Sequence, residues 1–455
     1  MQLFSPNPAP SAHKEPLPAS SGRRQAGSSG ARRITAAIAI AVAVLLPACS
    51  SREREAPERI ILIVVDTLRR DHVSCYGSNA LTPDIDALAK KGQIFTNAYA
   101  SFHQTTVSMA SIFTGRTPSL ETGEGKKAVG WSGQTACGLH RFGSANGGAQ
   151  CFPPSLPTLA EAMRGAGYWT VGITSNALLY DPQGYSRGFD NWVEIEGKWV
   201  GGGKPEIFKK YTLPGQANER NGEAINRSAL KALEARPKDR FFLYVHYMDA
   251  HDYDGVGVPY QKGVSDADYW LGLLLKHIEK AGLLEDAVVV LTADHGERLG
   301  ENQVLPGKPS HYGNPSFQQL LRVPLIVSPA WFKETRGLVR GEDVFRMLKE
   351  IAGIPDEGPV DLNPDELFVS EAHFLTYLKG PWKSFQRRSS DQTILINLET
   401  DPEETTNVAA AYPEVLEAHL ARTAELSQAL AMPGGAKAGF SDLEKARLKS
   451  LGYVQ

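Results

Sequence analysis

Thr105, Asp66, Asp294 and His295 are the residues of this chain whose types could do chemistry together. Thr105 lies in His103–Pro118, His-Gln-Thr-Thr-Val-Ser-Met-Ala-Ser-Ile-Phe-Thr-Gly-Arg-Thr-Pro. The stretch starts polar, with hydroxyls at Thr105, Thr106 and Ser108, becomes a short helical run from Met109 to Phe113, and stops at Gly115 and Pro118. Backbone N–H groups at a helix N-terminus lack intrahelical partners and favour anions, so a hydroxyl there can sit beside a sulfate or phosphate. Asp66 follows one buried strand and Asp294-His295 another. Hard oxygen ligands with one imidazole suit Ca²⁺, Mg²⁺ or Mn²⁺, and also Zn²⁺. A hydroxyl on such a metal is more acidic and becomes a usable nucleophile near neutral pH. His246 and His251 bracket Tyr-Met-Asp-Ala, and His311 stands in Ser-His-Tyr-Gly-Asn. Such imidazoles can hydrogen-bond a substrate oxygen or protonate a leaving alkoxide. Lys126, Lys127 and Lys308 read as solvated loop residues.

These residues need elements that hold them. Ile60–Val65 is a continuous, mostly β-branched apolar run, as in a strand buried on both faces, and it ends at Asp66. Phe241–Val245 ends at His246, and Ala287–Thr292 ends just before Asp294. Acidic residues at the carboxyl ends of parallel strands sit where open α/β sheets bind ligands. Gln93–Ala98, Trp169–Thr174 and Leu325–Val327 read as further strands, the second ending at Asn176. Helices are expected over Thr82–Lys90, Leu156–Ala166, Ala224–Ala235 and Asp266–Ala281. This alternation indicates a parallel sheet with helices on both faces. Residues 119–156 lack periodicity and read as a long loop over the site. After Trp331 strand density falls, and Val344–Ala352 and Pro413–Leu430 look helical.

Composition is that of a globular protein, with 42% apolar and 22% charged residues. A net charge of -3 gives no global case for nucleic acid, so an anionic substrate must be bound by local features. Residues 1–33 are rich in Pro, Ser, Ala, Gly and Arg and read as disordered. Arg32-Arg33 precede an apolar run, Ile34–Leu46, of signal-peptide length. Its end, Leu-Leu-Pro-Ala-Cys-Ser, resembles the lipobox of bacterial lipoproteins. That resemblance implies a lipidated Cys49 and a membrane-anchored protein of the bacterial cell envelope, facing the periplasm or exterior. Export permits disulfides. Cys137 and Cys151 flank a Gly-rich loop and would close it, contributing about 3 kcal/mol in the chain-entropy model, with Cys75 left free. The expected layout is a leader and signal segment (1–49), a linker (50–58), a catalytic α/β domain (59–333) and a C-terminal subdomain with terminal helices (334–455).

Taken in order, the motifs resemble the sulfatase branch of the alkaline phosphatase superfamily. They are Ile-Val-Val-Asp-Thr-Leu-Arg-Arg-Asp-His (63–72), Thr-Pro-Asp-Ile-Asp-Ala-Leu-Ala (82–89), Ser-Ile-Phe-Thr-Gly-Arg-Thr-Pro (111–118), Val-His-Tyr-Met-Asp-Ala-His (245–251), Thr-Ala-Asp-His-Gly-Glu (292–297) and Leu-Arg-Val-Pro-Leu-Ile-Val (321–327). Asn-Leu-Glu-Thr-Asp-Pro-Glu-Glu-Thr-Thr-Asn (397–407) and Leu-Lys-Ser-Leu-Gly-Tyr-Val (448–454) are similar to this family too. The resemblance implies a mixed α/β sheet with helices on both faces, a smaller C-terminal subdomain and a divalent metal at the nucleophile. Matching on Ser108 and Thr114-Gly115 puts Thr105 at the nucleophile position, Val107 third and Met109 fifth. Typical members carry Cys or Ser first, Pro or Ala third and Arg fifth, the signature of formylglycine formation. Oxidising a threonine gives a ketone, so that aldehyde cannot form here. Thr67 stands where a second Asp is usual, no Lys-x-His pair is evident in 119–156, and Asp294-His295 resembles the phosphate- and phosphonate-cleaving branches.

The expectation is a metal-dependent hydrolase of a phosphate, phosphonate or sulfate ester. Asp66, Thr105, Asp294 and His295 would hold the metal, Thr105 would attack, and His251 and His311 would meet substrate or leaving group; no residue is assigned to an organic cofactor. Phosphorus is favoured over sulfur, because a threonine sulfate lacks the elimination route of an aldehyde hydrate. The alternative is a non-catalytic, membrane-tethered binding protein that keeps the fold.

Overall fold

The computed structural model describes residues 54–120, 137–142, 151–176, 178–195, 221–251, 259–311, 314–333, 335, 337–355, 365–371 and 373–430. The leader with Cys49, Lys126, Lys127 and the 448–454 motif lie outside the described residues. From Arg54 onward the chain is one compact unit. In chain order its elements are β1 (Arg59–Val65), α1 (Pro83–Lys91), β2 (Gln93–Ile94), β3 (Ala98–Tyr99), α2 (Thr105–Thr114), α3 (Leu159–Gly165), β4 (Trp169–Thr174), β5 (Asn191–Glu194), α4 (Asn221–Glu234), β6 (Phe241–Tyr247), α5 (Tyr260–Lys280), β7 (Ala287–Thr292), α6 (Gln318–Leu321), β8 (Leu325–Ser328), β9 (Val339–Arg340), α7 (Gly341–Ile351), β10 (Glu366–Ser370), β11 (Phe374–Lys379), β12 (Trp382–Arg387), β13 (Thr393–Asn397) and α8 (Pro413–Leu430).

The main sheet runs β2-β8-β7-β1-β6-β4-β5. From β7 to β5 neighbouring strands are parallel, while β8 is antiparallel to both β7 and β2. This is the mixed sheet that the family resemblance implies, and the parallel arrangement read from the strand–helix alternation holds for β7, β1, β6, β4 and β5 but not for β8 and β2. The reason lies in the connection: a long loop and the short α6 bring the chain from β7 back beside it, with no crossover helix to keep it parallel. β1, β6 and β7 are apolar without alternation because helices cover both faces; α3 and α4 both pack on β4, and belong to different helix groups, α2/α3/α7 and α1/α4/α5.

Register decides where the chemistry can lie. Val64 pairs with His246 and with Thr292, and His246 with Thr174. The carboxyl ends of four parallel strands are thus level, and Asp66, His246, Asp294 and Asn176 emerge at one edge.

Several regions differ from expectation: α2 begins at Thr105 rather than Met109, and Gln93–Ala98 divides into β2 and β3, which belong to different sheets. α5 starts at Tyr260, six residues before Asp266, because Tyr260, Gly263 and Val264 are buried and continue its inner face. Gly263 masks the pattern, yet a Cβ there would stand 2.4 Å from the Asp249 carbonyl oxygen. The C-terminal part is richer in strands than its sequence suggests. β10-β11-β12-β13 form an antiparallel sheet against which α8 packs. Its strands interleave Lys383, Ser384, Thr376 and Glu366 with apolar residues, which hides them from a search for apolar runs. Before that sheet, α7 lies against α2 and its Val344, Phe345 and Leu348 join the main core. Cys137 and Cys151 are buried and disulfide-bonded, and Cys75 is free. No helix among the described residues is long and apolar enough to cross a membrane.

Candidate functional site

Thr105 is the first residue of α2 and is buried at the sheet edge just described. Its hydroxyl donates to Asp66 Oδ2 at 3.4 Å and lies 3.3 Å from His295 Nε2. His295 Nδ1 is 2.8 Å from the Gly296 carbonyl oxygen. A carbonyl only accepts, so Nδ1 carries the proton and the neutral ring presents the Nε2 lone pair to Thr105. The Asp294 carboxylate is held through Oδ1 by the N–H groups of Thr67 (3.1 Å) and His295 (2.8 Å). Thr67 delivers its N–H from the left-handed region, φ 56°, a conformation costing a β-branched residue about 1–3 kcal/mol. Ser108 Oγ donates to the Asp294 carbonyl oxygen at 2.5 Å, tying α2 to the end of β7. Thr105, Asp66, Asp294 and His295, scattered in sequence, are thus brought together.

Two neighbours in this cluster were not assigned from sequence. His246 was read as a substrate-contacting imidazole. It is instead fully buried behind Asp66, with Nε2 3.1 Å from Asp66 Oδ2 and Nδ1 2.7 Å from the Tyr244 hydroxyl. Asn176, read only as a strand end, places Nδ2 2.6 Å from Asp66 Oδ2 and 3.5 Å from Thr105 Oγ. The available signal was its position just past β4, level with the other strand ends.

The remaining histidines form a rim. The His311 ring is 4.7 Å from that of His295 and 5.4 Å from that of His251, centroid to centroid. His311 Nδ1 pairs with Glu297 at 2.8 Å. His103, two residues before Thr105, binds the His311 carbonyl oxygen at 2.7 Å and Glu371 at 3.1 Å. Glu371 follows β10, so the C-terminal subdomain reaches the site through His103. Nothing in the sequence marked that pair, whose members are 268 residues apart.

Charge follows this packing. Burial opposes ionisation of Asp66, but the hydrogen bond from His246 and the nearby His251 and His295 outweigh it and hold Asp66 well below the usual carboxylate range. Asp294 is pushed up, by burial first and by Asp66 second. Burial pushes His295 down and keeps it neutral. Burial also opposes charge on His103, but Glu371 prevails and raises it.

The family model described as Sulfatase matches residues 58–336. The chain belongs to the sulfatase family. It is a sulfatase-family hydrolase, and the match contains every residue of the central cluster. The chain is 24% identical to the N-acetylgalactosamine-6-O-sulfatase of Bacteroides thetaiotaomicron over 481 residues, covering 78% of this chain and 90% of that protein. It is 28% identical over 235 residues to the N-acetylglucosamine-6-O-sulfatase of the same organism, covering 49% of this chain and 36% of that protein. Among solved structures, Ps i-CgsB in complex with k-i-k-neocarrahexaose superposes with a TM-score of 0.61 at 20% identity, covering 87% of this chain and 97% of that one. The phosphonate monoester hydrolase of Agrobacterium radiobacter gives 0.57 at 16% identity, covering 81% and 95%. Both show the fold expected from the motifs.

Sulfatase-family members use a divalent metal, and the residues present fit one. Asp66, His246 and Asp294 each offer a ligand atom within 4.8 Å of the others. Asp66 Oδ1 and Asp294 Oδ2 are buried with no hydrogen-bond partner among the described residues. Orphaned buried oxygens cost about 1–3 kcal/mol each, more when charged, and a cation would satisfy them. His295 Nε2 lies 3.4 Å from Asp294 Oδ2, next to these atoms.

Proposed function

We propose that this hydrolase cleaves a phosphorus ester, a phosphate or phosphonate, with Thr105 as covalent nucleophile, in preference to a sulfate ester. The observation that carries the reading is the setting of the Thr105 hydroxyl. It sits at a helix N-terminus, between Asp66 and His295, beside carboxylate oxygens that no hydrogen-bond donor among the described residues satisfies. Asp66, Asp294 and His295, with His246 against Asp66, would hold Ca²⁺, Mg²⁺, Mn²⁺ or Zn²⁺, and Thr105 would join them. The bound cation would neutralise charge on the ester oxygens and make the Thr105 hydroxyl more acidic.

The protein's own groups do the rest. The hydrogen bond to Asp66 turns the Thr105 proton away from the ester and directs a lone pair outward. The N-terminal turn of α2 offers N–H groups to the anion. His311, whose ring stands beside that of His295, and His251, whose ring stands beside that of His311, would protonate the departing oxygen. The Thr105 proton passes to Asp66 Oδ2 as Oγ joins phosphorus, the bond to the leaving oxygen breaks with a proton from His251 or His311, and water then cleaves the threonine ester. The relatives' names point to sulfate esters; the missing aldehyde precursor at position 105 favours phosphorus. The lipobox-like Cys49 supports anchorage to the outside of a bacterial membrane, which mass spectrometry of the membrane fraction tests.

Thr105→Ala should lose activity by about 10³-fold or more, on the scale of removing a covalent nucleophile. Thr105→Ser should keep part of it, and a slow aryl phosphonate should label Thr105. Aryl sulfate cleaved much faster than aryl phosphate, with Thr105→Ala still active, would overturn both nucleophile and substrate class.

A further inference from the structure

We propose that Asn176 is a catalytic residue: its carboxamide donates a hydrogen bond to the Thr105 oxygen and stabilises the negative charge that Oγ carries as its proton passes toward Asp66 and before its lone pair moves to phosphorus. This rests on Thr105 being the nucleophile.

The side chain is built for that task. Asn176 is buried, and its backbone N–H is held by Thr174 Oγ at 3.0 Å. Its Oδ1 accepts the Leu178 N–H at 2.8 Å. That bond decides which end of the amide is which, because a flipped amide would lose it and set Oδ1 against a carboxylate. Nδ2 therefore faces the cluster with two N–H groups. One is taken by Asp66 Oδ2 at 2.6 Å. Nδ2 also lies 3.5 Å from Thr105 Oγ, whose own proton is directed to Asp66 Oδ2.

Thr105 Oγ lies close to two side-chain nitrogens, Asn176 Nδ2 at 3.5 Å and His295 Nε2 at 3.3 Å. With His295 protonated on Nδ1, Nε2 has no hydrogen to give. Asn176 is then the side-chain N–H that can follow charge as it builds on Oγ. A contact of 3.5 Å is long for a neutral hydroxyl and shortens onto an oxyanion, as catalytic hydrogen bonds do when charge develops. A carboxamide does not titrate, so this donor is available across the working pH range. It meets the nucleophile rather than the leaving oxygen, which separates its signature from that of His251.

The test is the rate at which an aryl phosphonate series labels Thr105, with Mn²⁺ affinity measured by calorimetry. Asn176→Ala should slow labelling by roughly 10²-fold, the scale of losing one preorganised donor. The loss should be equal for good and poor leaving groups and persist at saturating Mn²⁺, with Mn²⁺ affinity changed by less than tenfold. His251→Ala, by contrast, should be hurt most on poor leaving groups. Asn176→Asp, equal in size, guards against misfolding of the alanine variant and should be at least as slow. Three results would overturn the proposal: labelling at the wild-type rate in either variant, full recovery on adding Mn²⁺, which would make Asn176 a positioning residue for Asp66, or a loss that grows with leaving-group basicity. Label on a residue other than Thr105 in the wild-type enzyme would take down the nucleophile assignment and this proposal together. Label on Thr105 with unaltered rates in the variants would remove this proposal alone.

Discussion

Two groups of fully buried charges among the described residues are finished differently. In the C-terminal part, Lys383 Nζ meets Glu404 Oε1 at 2.7 Å, and Glu404 Oε2 accepts the Gln318 N–H at 2.5 Å. Both side chains are inaccessible to solvent, and each charge has its counterpart inside the protein. At the strand ends, Asp66 and Asp294 are equally inaccessible, yet each keeps one oxygen with no hydrogen-bond donor among the described residues, Asp294 Oδ2 meeting only His295 Nε2 at 3.4 Å. Removing a charge from water is costly, and a protein recovers that cost by pairing. The first group is closed and holds the C-terminal sheet to α6. The second is open, and the missing partner is what a bound cation would supply. Burial alone does not distinguish a structural charge from a functional one; the count of satisfied oxygens does.

That contrast breaks most visibly at the open cluster. Asp66→Ala and Asp294→Ala should each abolish stoichiometric metal binding while the fold is kept, as read by elemental analysis and circular dichroism. Retention of metal by both variants would place the site elsewhere. The closed cluster should respond the other way. Lys383→Met leaves Glu404 buried and uncompensated and should cost about 3–5 kcal/mol of stability in urea unfolding, with metal affinity untouched. Pairing it with Glu404→Gln, which still accepts the Gln318 N–H, should recover most of that. A single variant as stable as wild type would show that the pair carries no strain of desolvation.

A smaller effect sharpens the same point. His419 on α8 is buried against Ser384, and burial, with Lys379 nearby, pulls its pKa down to about 4. Its folded value lies below its unfolded one, so the unfolded chain binds the proton first as pH falls. Stability from this residue is intact above about pH 6.5 and is lost on descending toward pH 4. Between pH 7 and 4.5 the wild type should lose about 2 kcal/mol more than His419→Gln in paired urea melts. Equal losses would mean that the ring is not desolvated.

Much of this could be read before folding. Ile60–Val65, Phe241–Val245 and Ala287–Thr292 announced themselves because a strand covered on both faces has no polar positions. The residues just past them were thereby marked as strand ends. Helix α8 was bounded correctly at Pro413 and Leu430, since Pro is favoured in a first helical turn. The C-terminal sheet was missed because its strands carry polar residues whose partners, such as Glu404 for Lys383, lie far along the chain.

The sequence by itself determined the fold class, the order of the buried strands and the residue types at their ends, because apolar periodicity and local chemistry are properties of adjacent residues. The tertiary structure decided the rest. Strand register brought Asn176 and His246 level with Asp66, and the β10–β11 hairpin carried Glu371 to His103. Left-handed Thr67 turned its N–H to Asp294 and left a carboxylate oxygen bare. Those facts depend on distances between residues tens to hundreds of positions apart, which no local pattern encodes and which packing sets once.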